Sequence, residues 1–163
     1  MHIAEILDAE RVVLDLVGDD KESILRALSA PVVTSRPGVD HEELVSVLLE
    51  REKASSTAIA DGIAIPHCKI EIGEEVVAAF GRAPEGLDFE SVDGQPTRLF
   101  FLLVSPASHP SLHLRWLAHI AGLLKNADFR RDILEAESAE DVLARIAREE
   151  SPDEDTTDGA TSG

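Results

Sequence analysis

With 163 residues, 44% of them hydrophobic, the chain is long enough to bury the core of one domain and reads as globular. A net charge of −17 excludes a surface built to grip nucleic-acid phosphates, which needs clustered Lys and Arg, and favours partners with a basic docking face. No apolar run approaches the roughly 18 residues that span a bilayer, and "MHIAEILDAE" lacks the basic and apolar segments of a signal peptide. A lone cysteine, Cys68, forbids an internal disulfide and fits a reducing compartment, so the expected setting is cytoplasmic, without membrane insertion.

In chain order, Arg11 to Val17, "RVVLDLV", reads as a strand. Asp19, with Glu22 three residues on, predicts a capped helix through about Ala30, broken at Pro31. Asp40 and Glu43 repeat that capping pattern before a second helix, His41 to Lys53. Short strand pieces follow between Thr57 and Ile65, around the Asp61-Gly62 turn. Val76 to Arg82 predicts a strand, "PEGLDFESVDGQP" a turn-rich connection, and Arg98 to Val104, "RLFFLLV", a central buried strand. Helices are expected over Ser111 to Lys125, from Asp128, and from a Ser138 cap to Arg148. The order implies a single α/β domain over residues 1–150, a sheet flanked by helices. Residues 151–163, "SPDEDTTDGATSG", predict a disordered acidic tail.

Chemistry concentrates after the second helix. The apolar run Gly62-Ile63-Ala64-Ile65 ends in Pro66, then His67. Proline fixes its own φ and pushes Ile65 toward extended geometry, so the histidine is held in one direction. In the second helix, Leu44, Val47 and Leu48 form a stripe that Arg51 continues, while Val45, Leu48 and Leu49 form one that Glu52 continues; either residue can face inward. Leu117, Ile120 and Leu124 define the buried stripe of the later helix, and His113 extends it back into the first turn. His67, His113 and Arg51 would together supply a nucleophilic imidazole, a helix N-terminus and a fixed cation, which is what a transferred phosphoryl group requires. The G-x-x-x-x-G-K-[ST] nucleotide loop is absent.

The stretch "EREKASSTAIADGIAIPH", Glu50 to His67, resembles the signature of phosphotransferase-system enzyme IIA domains of the fructose–mannitol and nitrogen-regulatory class, close to E-R-E-x-x-x-S-T-G-I-G-x-G-I-A-I-P-H. "FFLLVSPASHPSLHLRWLAHIAGLL" is similar to the apolar strand, loop and His-Leu helix opening of that family, and the resemblance spans about residues 3 to 148. It implies a mixed, mostly parallel β-sheet with helices on both sides. It also implies that His67 accepts a phosphoryl group on Nε2 from an HPr-like phosphocarrier and passes it to a cysteine of an EIIB domain, with His113 and Arg51 completing the site. A fructose-type permease is the favoured downstream partner, and control of targets by a nitrogen-regulatory protein is the alternative. No cofactor, metal or direct sugar binding is implied. Ala58 and Ala60 stand where the family has glycines, and Cys68 replaces the glycine that commonly follows the histidine.

A rival reading takes His67, Cys68, His109 and His113 as metal ligands of a hydrolase, on the i, i+4 spacing of the last two. Pro110 argues that the helix starts near His109, which takes that histidine off the shared face. His2 and His41 read as surface residues, and His119 lies about 240° around the helix from His113. Trp116 is expected at a helix edge.

Overall fold

Thr97–Pro106 (β5) is buried at every position except Arg98, as a strand covered on both faces must be. Leu99, Phe101 and Leu103 point into one apolar layer, and Phe100, Leu102 and Val104 into the other. In this computed structural model, which describes residues 1–58 and 60–151, β5 is the centre of a mixed sheet. Val77–Leu87 (β4) runs antiparallel beside it with Phe80 opposite Phe101, and Val12–Val13 (β1) runs parallel to β4. On the far side of β5, Ile63–Ala64 (β2) and His67–Ile70 (β3) both pair parallel, Ile63 with Leu99 and His67 with Leu103. Three of the four described pairings are parallel.

The break between β2 and β3 falls at Ile65-Pro66. Proline has no N–H for the ladder, but its carbonyl still accepts the Leu103 N–H at 3.0 Å, so the edge resumes in register. Just upstream, Asp61 and Gly62 both hold positive φ, 60° and 73°, the conformation an Asp-Gly turn is suited to adopt.

Lys21–Ser35 (α1) and His41–Ala54 (α2) cover the face reached by Phe100, Leu102 and Val104. Pro110–Leu124 (α3), Ala127–Leu134 (α4) and Ala139–Glu150 (α5) cover the face reached by Phe101 and Leu103. The sheet is thus flanked by helices on both sides. None of the described helices is long and apolar enough to cross a membrane. Caps for α2 and α5 come from Asp40 and Ser138, as their sequences predict.

Four expectations are corrected. The first strand is only Val12–Val13, because Arg11 belongs to a 3-10 turn whose buried guanidinium donates to the carbonyls of Ala78 and Ile6. Beyond it, Leu14 and Leu16 pack on opposite layers although they are two residues apart, which an unbroken strand forbids. The N-cap of α1 is Asp20, not Asp19: its carboxylate accepts the Ser23 N–H at 2.8 Å, and the Ser23 hydroxyl accepts from both aspartate N–H groups. Pro31 does not end α1, since Val32, fully buried one turn after Leu28, carries the helix to Ser35. The segment after Arg82 also stays in the sheet as far as Leu87. The expected tail lies outside the described residues apart from Ser151, whose N–H bonds the Arg148 carbonyl.

A helix-interior proline costs about 3 kcal/mol relative to alanine, partly returned by its restriction of the unfolded chain. Pro31→Ala is therefore expected to stabilise the protein by about 1–2 kcal/mol, read as a higher urea midpoint at unchanged slope.

Candidate active site

The Ile65 carbonyl lies 2.7 Å from Nδ1 of His67. A carbonyl oxygen only accepts, so Nδ1 carries the proton and Nε2 is left with its lone pair. Toward that lone pair Arg51 donates its Nε–H at 3.3 Å. The guanidinium is steadied by Nη1 bonds to the Ser55 carbonyl and hydroxyl, at 3.1 and 3.4 Å. Arg51 belongs to the last turn of α2, in one helical layer, and reaches His67 because β3 is the rim of the sheet.

At the end of α2 both residues left open by the sequence are employed, in different ways. Glu52 turns inward, 4% exposed, and accepts the Thr57 N–H at 3.1 Å, the Thr57 hydroxyl, and Lys21 Nζ at 3.1 Å. The Thr57 carbonyl in turn accepts the Ile65 N–H at 3.3 Å. A continuous path of hydrogen bonds therefore runs from Glu52 through Thr57 and Ile65 to the imidazole of His67. Ala58, which stands where the family signature has glycine, is fully buried in the α1–α2 core, and its carbonyl accepts the Val92 N–H at 2.9 Å.

From the other layer, α3 brings His113, 3% exposed, in its first turn. The two imidazole centroids are 5.5 Å apart with 46° between the ring planes. Nδ1 of His113 meets the hydroxyl of Ser105, on β5, at 2.7 Å. His67, His113 and Arg51 thus line one cavity of about 410 Å³, rimmed by Val47, Leu117 and the exposed Leu114. Ser105 and Thr57 were not legible as site features, and for Glu52 the inward orientation was open but its partners were not. Only the continuation of the β5 alternation through "VSP" hints at Ser105.

Burial, reinforced by the charge of Arg51, lowers the pKa of His67 despite the opposing bond to the Ile65 carbonyl. For His113, burial foremost, then the neighbouring charges at His67, Lys69 and Arg51, push the pKa down to about 4. A neutral ring at physiological pH is the result.

The other candidates differ. Cys68 borders the same cavity but is 6% exposed and packs into the α1–α2 layer, where burial pushes its thiol up to about 12, so it stays protonated. His109 is the exposed N-cap of α3 and does not line the cavity. Among the described residues no group of three His, Cys, Asp or Glu side chains stands ready to hold a metal ion. His119 points away from His113 and bonds Glu150 at 2.6 Å. Trp116 is not at an edge: it is buried in the α3–α5 core, edge-on to His119.

Residues 5–149 match the family described as "Phosphoenolpyruvate-dependent sugar phosphotransferase system, EIIA 2", and the chain belongs to that family. It is 34% identical over 143 residues to the fructose-specific EIIABC component of Bacillus subtilis, covering 88% of this chain but 22% of that much longer protein. It is 34% identical to a nitrogen regulatory protein of Bradyrhizobium diazoefficiens, covering 90% of this chain and 95% of the relative. A fructose-specific EIIA component of Haloferax volcanii is 33% identical, with 88% and 96% covered. The crystal structure of the nitrogen regulatory protein IIA-Ntr from Neisseria meningitidis superimposes with a TM-score of 0.82 at 30% identity, over 88% of this chain and 98% of that one.

Removing the Glu52 carboxylate leaves the Thr57 N–H and the Lys21 ammonium without their acceptor. Glu52→Ala is expected to cost about 3 kcal/mol in urea unfolding, the usual penalty for breaking a buried pair from one side.

A histidine whose folded pKa is depressed takes up its proton first in the unfolded chain, so stability falls as pH drops from about 6.5 and levels off below the folded value. For His113 the window is from about 6.5 to about 4. Between these limits the native protein is expected to lose up to about 3 kcal/mol relative to His113→Gln. Paired unfolding curves at pH 7 and pH 4.5 measure it.

Proposed function

We propose that the protein is a cytoplasmic histidine phosphocarrier of the phosphoenolpyruvate-dependent system, with His67 as the phosphorylated residue. The observation that carries this reading is the lone pair on His67 Nε2, exposed to a cavity beside a guanidinium because Nδ1 is committed to the Ile65 carbonyl. The phosphoryl donor is the phosphohistidine of an HPr-like carrier. His67 Nε2 attacks phosphorus in line, the new P–N bond forms, and the donor's P–N bond breaks with its electron pair returning to the donor imidazole. Throughout, Nδ1–H stays on the Ile65 carbonyl, which stabilises the positive character of the phosphorylated ring. Arg51 exchanges the lone pair for the phosphoryl oxygens, and His113 hydrogen-bonds them from the other layer.

The acceptor is a cysteine thiolate of an EIIB domain, which attacks phosphorus while the P–Nε2 electron pair returns to His67. No metal or nucleotide enters, because the incoming P–N bond is already activated. The chain binds no sugar itself, and a fructose-type permease is the favoured downstream partner, in keeping with the fructose-specific EIIA relative that the chain covers almost entirely. Control of regulatory targets through the phosphorylation state is the second reading, favoured by the equally well covered nitrogen regulatory relative. Transfer of label to a fructose-type EIIB domain separates the two.

Incubation with phosphoenolpyruvate, enzyme I and HPr is expected to place acid-labile phosphate on the chain, and His67→Ala to abolish it. Arg51→Ala is expected to slow labelling by about a hundredfold, the usual loss when one charge-stabilising donor is removed. Acid-labile phosphate on His67→Ala would overturn the assignment.

A further inference from the structure

Ser105 is the one hydroxyl on β5 whose place bears on the site. It is fully buried, stands opposite Lys69 in the β3 register, and the hydrogen bond its Oγ makes is to Nδ1 of His113 at 2.7 Å. A buried hydroxyl in so apolar a strand is costly unless it is used. Two hydrogen placements are conceivable. If Nδ1–H donated to Oγ, the serine's own hydrogen would be left in the core with no acceptor among the described residues. If the hydroxyl donates to Nδ1, both groups are satisfied and the ring's remaining hydrogen sits on Nε2.

We propose that Ser105 is a positioning residue whose hydroxyl donates to Nδ1 of His113 and fixes that ring in the Nε2–H tautomer, so that it offers the phosphoryl group a donor. This rests on the phosphocarrier reading of His67 and deepens it. The two imidazoles, 5.5 Å apart, then carry opposite tautomers. His67 has its proton on Nδ1 and a nucleophilic lone pair on Nε2, fixed by a carbonyl that can only accept. His113 has its lone pair on Nδ1 and a proton on Nε2, fixed by a hydroxyl that must donate. Were His113 in the other tautomer, its Nε2 lone pair would face both the nucleophile and the anionic oxygens, and would repel them. Because His113 stays neutral at physiological pH, its tautomer decides whether it helps or hinders. The serine acts only through His113 and touches no reacting atom.

The test is nitrogen-15 NMR of the histidine side chains in the unphosphorylated protein at pH 7. The expected spectrum has His113 protonated at Nε2 and bare at Nδ1, with His67 the reverse. In Ser105→Ala, His113 is expected to populate both tautomers while His67 keeps its own, and phosphoryl exchange with HPr to slow by about tenfold, the scale of one hydrogen bond. Ser105→Thr, which keeps the hydroxyl, is expected to retain the native tautomer and a rate within about twofold of native. A native His113 protonated at Nδ1, or an unchanged His113 spectrum in Ser105→Ala, overturns the proposal. If neither variant folds, the native spectrum decides alone. The spectra need no phosphoryl donor, so failure of labelling at His67 strikes the phosphocarrier reading and is told apart from failure here.

Discussion

Everything at this site depends on one hydrogen bond, from Nδ1–H of His67 to the carbonyl of Ile65 two residues back. Pro66 makes it possible by fixing the turn between donor and acceptor, and by interrupting the edge ladder where no N–H is available. Ile65 is held through Thr57, and Thr57 through the buried carboxylate of Glu52. A motif that looks in sequence like a strand ending in a histidine is therefore a braced platform, in which a helix-end carboxylate sets the tautomer of a ring fifteen residues away. Bracing of this sort removes orientational freedom before any partner arrives, which is where much of the rate of a group transfer comes from.

Placement at the rim of the sheet explains how residues far apart in sequence converge. In the interior the sheet itself separates the two helical layers, but β3, paired with β5 alone among the described strands, lies between the end of α2 and the start of α3. Arg51 comes from one layer and His113 from the other. On a chain of net charge −17 this is a local cationic exception, with Arg51 at the imidazole and Lys69 on the cavity wall. Two cations beside a cavity attract an anion, while an acidic remainder favours basic partner surfaces.

Much of this was legible because it is periodic or punctuated. The β5 run, the caps Asp40 and Ser138, and the Asp61-Gly62 turn each announce themselves within a few residues. Helical phase placed Arg51 and His113 at stripe ends. What escaped is set by contacts between elements. Pro31 looks like a helix stop until the burial of Val32 is known, and Leu14 and Leu16 look like one strand until they prove to face different layers. Glu52 and Arg51 compete on any helical wheel, and only the position of Thr57 assigns their separate roles. Ser105 belongs to no motif; its meaning arises from a histidine eight residues later, across a turn and a helix cap.

The central claim is that the fixed proton on Nδ1 leaves Nε2 of His67 to carry phosphorus. Its most direct test is one-bond nitrogen–phosphorus coupling in the nitrogen-15 spectrum of the protein after incubation with phosphorylated HPr. Coupling is expected at Nε2 of His67, with Nδ1 still protonated. Coupling at Nδ1, or at any other residue, would contradict it.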